Sequence, residues 1–264
     1  MMFKDRFDLV FSIGGSCVCA IYLNETRLRM ASSPFDWISL APFGERIRTL
    51  CARFDGFLDL GNLVLYERAD EHHPGHPNDL YRDSSSGYCF VHDFPRQVPA
   101  AESFPAVKAK YDRRIGRLLG RLDGGVRACL VWWSPGDPPS DEECVDGIAR
   151  VRAAFPNSDC KLIVFANDLS TGRRELREHR LSDDCLKIVG PIAPEGSGLV
   201  GDRELNLGAF GRIRAGGRLA AGRRRAKFRR ALVKFLSLWH FSRSGRVRAR
   251  KAWEARLGGR GGSA

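Results

Sequence analysis

The sequence predicts an α/β fold: a single three-layer domain with a mainly parallel central sheet, followed by a basic helical appendage. Three observations carry that expectation. The runs ACLVWW at 128–133 and KLIVFA at 161–166 are almost continuously apolar, as strands covered on both faces are. Segments of helical period alternate with them, which is the pattern of helices packed on a parallel sheet. The charge is divided along the chain. Residues 211–264 hold 17 Lys or Arg against one acid, Glu254, whereas the first 210 residues hold 26 bases against 30 acids. The formal charge of +12 therefore belongs to the tail, and the boundary is placed at 1–200 for the α/β domain and 201–264 for the Gly/Arg-rich linker and amphipathic tail.

In chain order, 9–13 reads as a buried strand, Gly14-Gly15 as a turn and 17–28 as the first helix, with Pro34 closing the unit. A second helix is expected over 40–57, broken by Pro42 and Gly44, with Ile47, Leu50, Cys51 and Phe54 on one face. Residues 62–66 read as a short strand. The polar, Pro-rich stretch 71–86 reads as a loop, and 88–91 as a strand that His92-Asp93-Phe94-Pro95 ends. Over 107–122, Val107, Tyr111, Ile115, Leu118, Leu119 and Leu122 share one helix face, and Gly124-Gly125 stops it. After the strand 128–133, Ser140 and Glu143 form a capping box for a helix through Ile148, Val151 and Phe155. The strand 161–166 ends at Asn167-Asp168, and 186–189 is the last strand. On a strand covered on both faces, Trp132 and Trp133 belong on opposite sides.

All eight cysteines fall between Cys17 and Cys185 without C-x-x-C pairs. Reduced thiols in a cytosolic protein are the plainer reading of that pattern than a disulfide framework or a zinc site. The N-terminus lacks a signal-peptide core and no run approaches 18 apolar residues, so a cytoplasmic location is expected, with the tail able to touch a membrane periphery. His72, His73 and His76 lie near Asp70, Glu71 and Asp79, but Pro74 and Pro77 interrupt them. A solvated loop is favoured over a metal site, and no cofactor is implied.

The loops that follow strand C-termini should gather along one sheet edge, where ligands bind open α/β sheets. Cys17 and His92 can meet there. A thiol at a helix N-terminus feels unpaired N–H groups and the positive end of the dipole, which favour thiolate. Cys19, one position along the nascent helix, is assigned to the core.

Four ordered motifs then resemble one family: Ser-Ile-Gly-Gly-Ser-Cys17, Ser33-Pro34-Phe35-Asp36-Trp37, Phe90-Val91-His92-Asp93-Phe94, and Lys110-Tyr111-Asp112-Arg113-Arg114. They are similar to the bacterial papain-like cysteine peptidase family of otherwise unknown function. The resemblance covers about residues 8–120 well, and 128–190 only in general layout. One position departs: Ser16 stands where many members carry asparagine.

By that resemblance Cys17 is the nucleophile and His92 its general base. Asp36 is the preferred third member; Asp93, Asn167 and Asp168 are alternatives, with Asp93 disfavoured because neighbouring strand side chains point to opposite faces. The Cys17 N–H and donors among Gly14, Gly15 and Ser16 form the expected oxyanion region. The implied function is cysteine-dependent hydrolysis or acyl transfer on a peptide, amide or other acyl substrate. Two readings compete with it: an α/β protein binding a phosphorylated or sugar ligand at the strand ends, and an anchoring module. The latter uses the tail, where Phe228, Phe235 and Trp239 among arginines suit an anionic membrane surface, a nucleic-acid backbone, or docking on the acidic domain.

Overall fold

The computed structural model describes residues 3–72, 75–170, 172–196 and 201–216. The parallel sheet is present. Strands β1 (Leu9–Ser12), β6 (Arg127–Trp133), β7 (Asp159–Asn167) and β9 (Cys185–Gly190) run parallel, and β8 (Arg177–Arg180) closes one edge antiparallel to β9, giving the order β1-β6-β7-β9-β8. Helix α1 (Cys17–Glu25) and helix α6 (Arg203–Gly211) lie together on one side of this sheet, while α2 (Phe43–Cys51) packs on α5 (Asp141–Ala154) on the other. The tryptophan pair divides as expected. Trp132 stands edge-on to Phe43 at 5.4 Å, and Trp133 meets Tyr22 at 6.0 Å while its Nε1–H donates to Asn206 Oδ1 at 3.1 Å.

A second sheet was not expected. Strands β2 (Ile38–Ser39), β5 (Cys89–Pro95), β4 (Asn78–Asp83) and β3 (Leu63–Glu67) form an antiparallel sheet in the order β2-β5-β4-β3, and α4 (Ala100–Asp123) packs along β5. The stretch expected to be a loop over 71–86 contains the short α3 (Ala69–His72) and β4, whose sequence NDLYRD has too little apolar alternation to betray a strand. Its acids serve locally instead. Asp79 accepts the Ala69 N–H at 2.8 Å, and Asp83 Oδ1 accepts the N–H groups of Ser85 and Ser86 at the following turn.

Other boundaries shift for identifiable reasons. The expected helix over 40–57 is shorter, because residues 38–39 pair with β5 and Pro42 occupies the N-cap position of α2. Strand β5 continues through His92-Asp93 to Pro95 rather than ending there. Helix α4 starts seven residues early and holds Pro105 inside it, at the loss of one backbone bond near its exposed start. The polar strand β8 and the helix α6 also escaped the sequence reading. Sheet edges tolerate charge, and α6 is fixed by tertiary contacts, Phe210 stacking on Phe165 at 4.5 Å and 9°. Residues 1–216 form one compact unit, with Phe7 bridging Ala215. The basic segment with Phe228, Phe235 and Trp239 lies outside the described residues. Among the described residues no helix is long and apolar enough to cross a membrane.

Where the two sheets meet, Arg46 of α2 is completely buried. Its Nε donates to Ala41 O at 3.1 Å and one terminal nitrogen to Ile38 O at 3.2 Å, and its guanidinium carbon lies 5.3–6.0 Å from the rings of Tyr88, Phe35 and Trp132. Removing it takes a donor from each of two carbonyls at this buried junction, a loss of about 1–3 kcal/mol for each left unsatisfied. Arg46→Met is therefore expected to lower stability by about 2–4 kcal/mol despite its similar volume. Arg46→Lys should lose less but remain measurable. Urea midpoints of the full chain check both, and an unchanged midpoint for Arg46→Met would remove this residue from the account.

Candidate active site

Strand β1 delivers the chain to the site in register with β6. The Ile13 N–H donates to Val131 O at 2.9 Å and the Gly15 N–H to Trp133 O at 3.1 Å, so the pairing persists through the turn. Close approach demands the glycines. A Cβ on Gly14 would stand 2.7 Å from Cys19 Cβ and 2.8 Å from Trp133 O, and one on Gly15 would stand 2.9 Å from Ser134 Oγ. The Gly14 N–H is held by Ser12 Oγ at 3.0 Å. Of the expected oxyanion donors, those of Gly14 and Gly15 are thus committed to the fold, leaving the N–H groups of Ser16 and Cys17 at the helix start.

Ser16 is the N-cap of α1, with extended backbone and its Oγ accepting the Val18 N–H at 3.4 Å. Serine and asparagine are comparable N-caps, so the departure from the family pattern preserves this role. Cys17 follows as the first helical residue with its sulfur partly buried; Cys19 is fully buried and donates to Val131 O at 3.4 Å, a core thiol. The helix start does not make Cys17 a resting thiolate. Burial pushes its thiol above the ordinary value of 9.0, and the hydrogen bond from its own backbone N–H only partly opposes that.

His92 comes from the antiparallel sheet, not from an end of the parallel one. Between the pairs Tyr81↔Phe90 and Asp79↔Phe94, the residues Val91, His92 and Asp93 face only Leu80 of β4, which makes an irregular bulge in β5. Bulges re-aim side chains beside functional sites. His92 projects to the solvent side, edge-on to Trp37 at 5.6 Å and 6.1 Å from the ring of His76. The His76 Nδ1–H donates to Asn78 O at 2.7 Å.

The carboxylates expected as third members sit elsewhere. Asp93 is buried against α4, where Tyr111 Oη donates to its Oδ2 at 2.8 Å and Lys110 Nζ contacts its Oδ1. Burial, and then the neighbouring Asp93 charge, hold the Tyr111 hydroxyl well above its ordinary range. Two of the four sequence motifs are thus one hydrogen-bonded cluster. Asp36, 1% exposed, closes a capping box on Ser33, accepting that N–H at 2.8 Å, and takes Arg29 Nε at 2.6 Å. Burial raises its carboxyl, with Arg29 the main opposing influence, and its Oδ1 has no hydrogen-bond partner. Within this motif the Trp37 ring lies edge-on to His92. Asn167 is clamped to Ala193 through both ends of its amide, and Asp168 pairs with Arg177 at 2.6 Å. Neither lines the cavity described next.

Cys17 and His92 both line that cavity. It encloses about 890 Å³ and is lined by Gly15, Ser16 and Cys17, by residues 37–43, by His76, Val91 and His92, and by Trp132, Ser134, Pro135, Asp137, Pro138, Pro139 and Glu143. Sequence reasoning missed His76 and Trp37. Recognising β4 would have found the first, because Asn78 pairs with Pro95 and so sets residue 76 beside the end of β5. Among the described residues no group of three His, Cys, Asp or Glu side chains is placed to hold a metal ion.

An α/β scaffold thus presents a helix-start cysteine and an imidazole to one cavity. Residues 8–131, just under half of the chain, match the profile of the family described as "Putative papain-like cysteine peptidase". The match includes Cys17, Trp37, His76 and His92. The chain is also similar to "Uncharacterized protein R408" of Acanthamoeba polyphaga mimivirus, 28% identical over 139 residues, which cover 47% of this chain and 60% of that protein. This relative is viral, whereas the resemblance pointed to a bacterial family. No solved structure matches.

Two outcomes follow from this geometry. Because burial raises the Cys17 thiol, its alkylation by iodoacetamide, read by peptide mapping, should rise with pH toward a midpoint above 9.0; a plateau reached below pH 7 would instead reveal a preformed ion pair with His92. Asp36→Asn should lose about 1–3 kcal/mol in urea unfolding, the scale of hydrogen bonds to a charged group, yet leave that alkylation midpoint in place.

Proposed function

We propose that the protein is a cysteine-dependent acyl hydrolase acting on amide bonds, with Cys17 as nucleophile and His92 as general base and acid. The observation that carries this reading is the convergence of the two side chains, from different sheets, on one cavity of about 890 Å³. The raised thiol sets the order of events. Cys17 starts neutral, so His92 takes its proton as the sulfur attacks the carbonyl carbon. The tetrahedral oxyanion is met by the Cys17 and Ser16 N–H groups at the positive end of α1. Collapse expels the amine, which takes the proton from His92, and water delivered by the same imidazole then hydrolyses the thioester. The rings of Trp37 and His76 lie against His92 and support its orientation. The competing phosphorylated-ligand reading gains no Lys or Arg from the described lining.

A panel of N-acyl aminomethylcoumarin amides tests the proposal. Cys17→Ala should abolish turnover, and His92→Ala should lower kcat by about 10²–10⁴. Turnover that survives Cys17→Ala sinks the assignment.

A further inference from the structure

The walls of this cavity differ in kind from its reactive corner. Trp37, Leu40, Phe43, Trp132, Pro138 and Pro139 make most of its surface apolar, and its size lies at the upper end of pockets that enclose a bulky organic group. The apolar character extends to the mouth. Leu40 is 53% exposed there and holds a left-handed backbone, φ 68°, a conformation that costs a leucine strain and that clusters at binding sites. Such exposure and strain at one residue of a cavity wall serve a ligand better than they serve the fold. The wall is also fixed in advance, because Arg46 binds the carbonyls of Ile38 and Ala41 from behind.

Charge narrows the ligand further. No described Lys or Arg lines the cavity, while Asp137 and Glu143 do. Glu143 is partly engaged, accepting the Ser140 N–H at 2.8 Å, whereas Asp137 is exposed. Arg46 does not offset them at the surface, since it is fully buried and does not itself line the cavity.

We propose that the cavity is an acyl-group pocket selecting a bulky apolar acyl portion, neutral or amine-bearing, and rejecting one that carries a carboxylate or phosphate. This rests on the acyl-hydrolase reading but is tested apart from it. A large hydrophobic peptide side chain and a medium-length fatty chain share this chemistry.

Binding is measured on the full-length Cys17→Ala protein at pH 8. The neutral dye N-phenyl-1-naphthylamine serves as the probe, displaced by octanamide, 8-aminooctanamide, the monoamide of octanedioic acid, or benzyloxycarbonyl-phenylalaninamide. The first two and the phenylalanine amide should compete, with the carboxylate-bearing amide at least tenfold weaker. Whichever of octanamide and the phenylalanine amide binds more tightly names the source. Leu40→Asn suits the left-handed backbone, so it should keep or raise the melting temperature while weakening dye binding about fivefold, the value of partly burying one leucine. Asp137→Arg should narrow or reverse the discrimination against the carboxylate. Equal or tighter binding of the carboxylate amide to the unaltered wall overturns the proposal, as does Leu40→Asn that binds the dye unchanged. Dye binding with this selectivity in a protein that turns over no amide would instead remove the catalytic reading and leave the pocket standing.

Discussion

A cation without a counter-ion sits at the junction of the two sheets, and the site is built around it. Among the described residues no carboxylate pairs with Arg46, and burial lowers its pKa to about 10, so it remains charged at neutral pH. A buried charge is tolerated only when its donors are engaged and its field is answered. Here two carbonyls and the faces of Phe35, Tyr88 and Trp132 provide that answer. Those five groups belong to the Pro-Phe-Asp-Trp turn, to β2 and the second residue after it, to the residue that precedes β5, and to β6. One guanidinium therefore ties the segment bearing Trp37 to the strand bearing His92 and to the strand against which the Cys17 turn is registered. One of its nitrogens still has no partner, so the arrangement trades some stability for a fixed relation between these parts.

The sequence motifs act through the same logic of placement. Asp93 does not touch the reactive groups. By binding Tyr111 and Lys110 it anchors one side of the β5 bulge on α4, and the adjacent His92 is left projecting the other way. Asp36 likewise closes its own turn and binds Arg29, whose guanidinium lies 5.5 Å from the Trp37 ring. In both cases the acid next to the working side chain is a fastener. The resemblance made Asp36 the preferred third member and Asp93 a disfavoured alternative; burial and a cationic partner tie each to its own turn or bulge.

How much of this was legible follows from where the signals lie. Strands β6 and β7 and helix α5 announce themselves, because continuous apolar runs and a capping box are local features. The antiparallel sheet does not. Its two-residue β2 and its polar β4 hold their places through partners distant in sequence, and nothing in NDLYRD specifies that partner. Cys17 and His92 were identifiable as residues, and their convergence was expected on the wrong ground. A shared parallel-sheet edge was the argument, whereas a bulge in a second sheet supplies the histidine. The argument against Asp93 from strand alternation does not apply as made, since the bulge suspends the alternation; this carboxylate is held instead by Lys110 and Tyr111. Leu40 and His76 were invisible as site residues because each depends on a strand that the sequence did not disclose.

The last consequence concerns what a helix start does for a cysteine. The dipole and the N–H groups of the first turn favour thiolate by about a kilocalorie or so where water is near. Cys17 is mostly shielded, and taking a charge out of water opposes that gain more strongly. On the acyl-hydrolase reading proposed above, the helix serves the next charge to appear, the oxyanion, which would form only with substrate filling the apolar cavity and excluding water. A dipole that is weak for the resting thiol gains weight in that dry state. On that reading, substrate binding and nucleophile activation are coupled by the same apolar walls: the group that fills the cavity would also create the low-dielectric setting for α1 and His92.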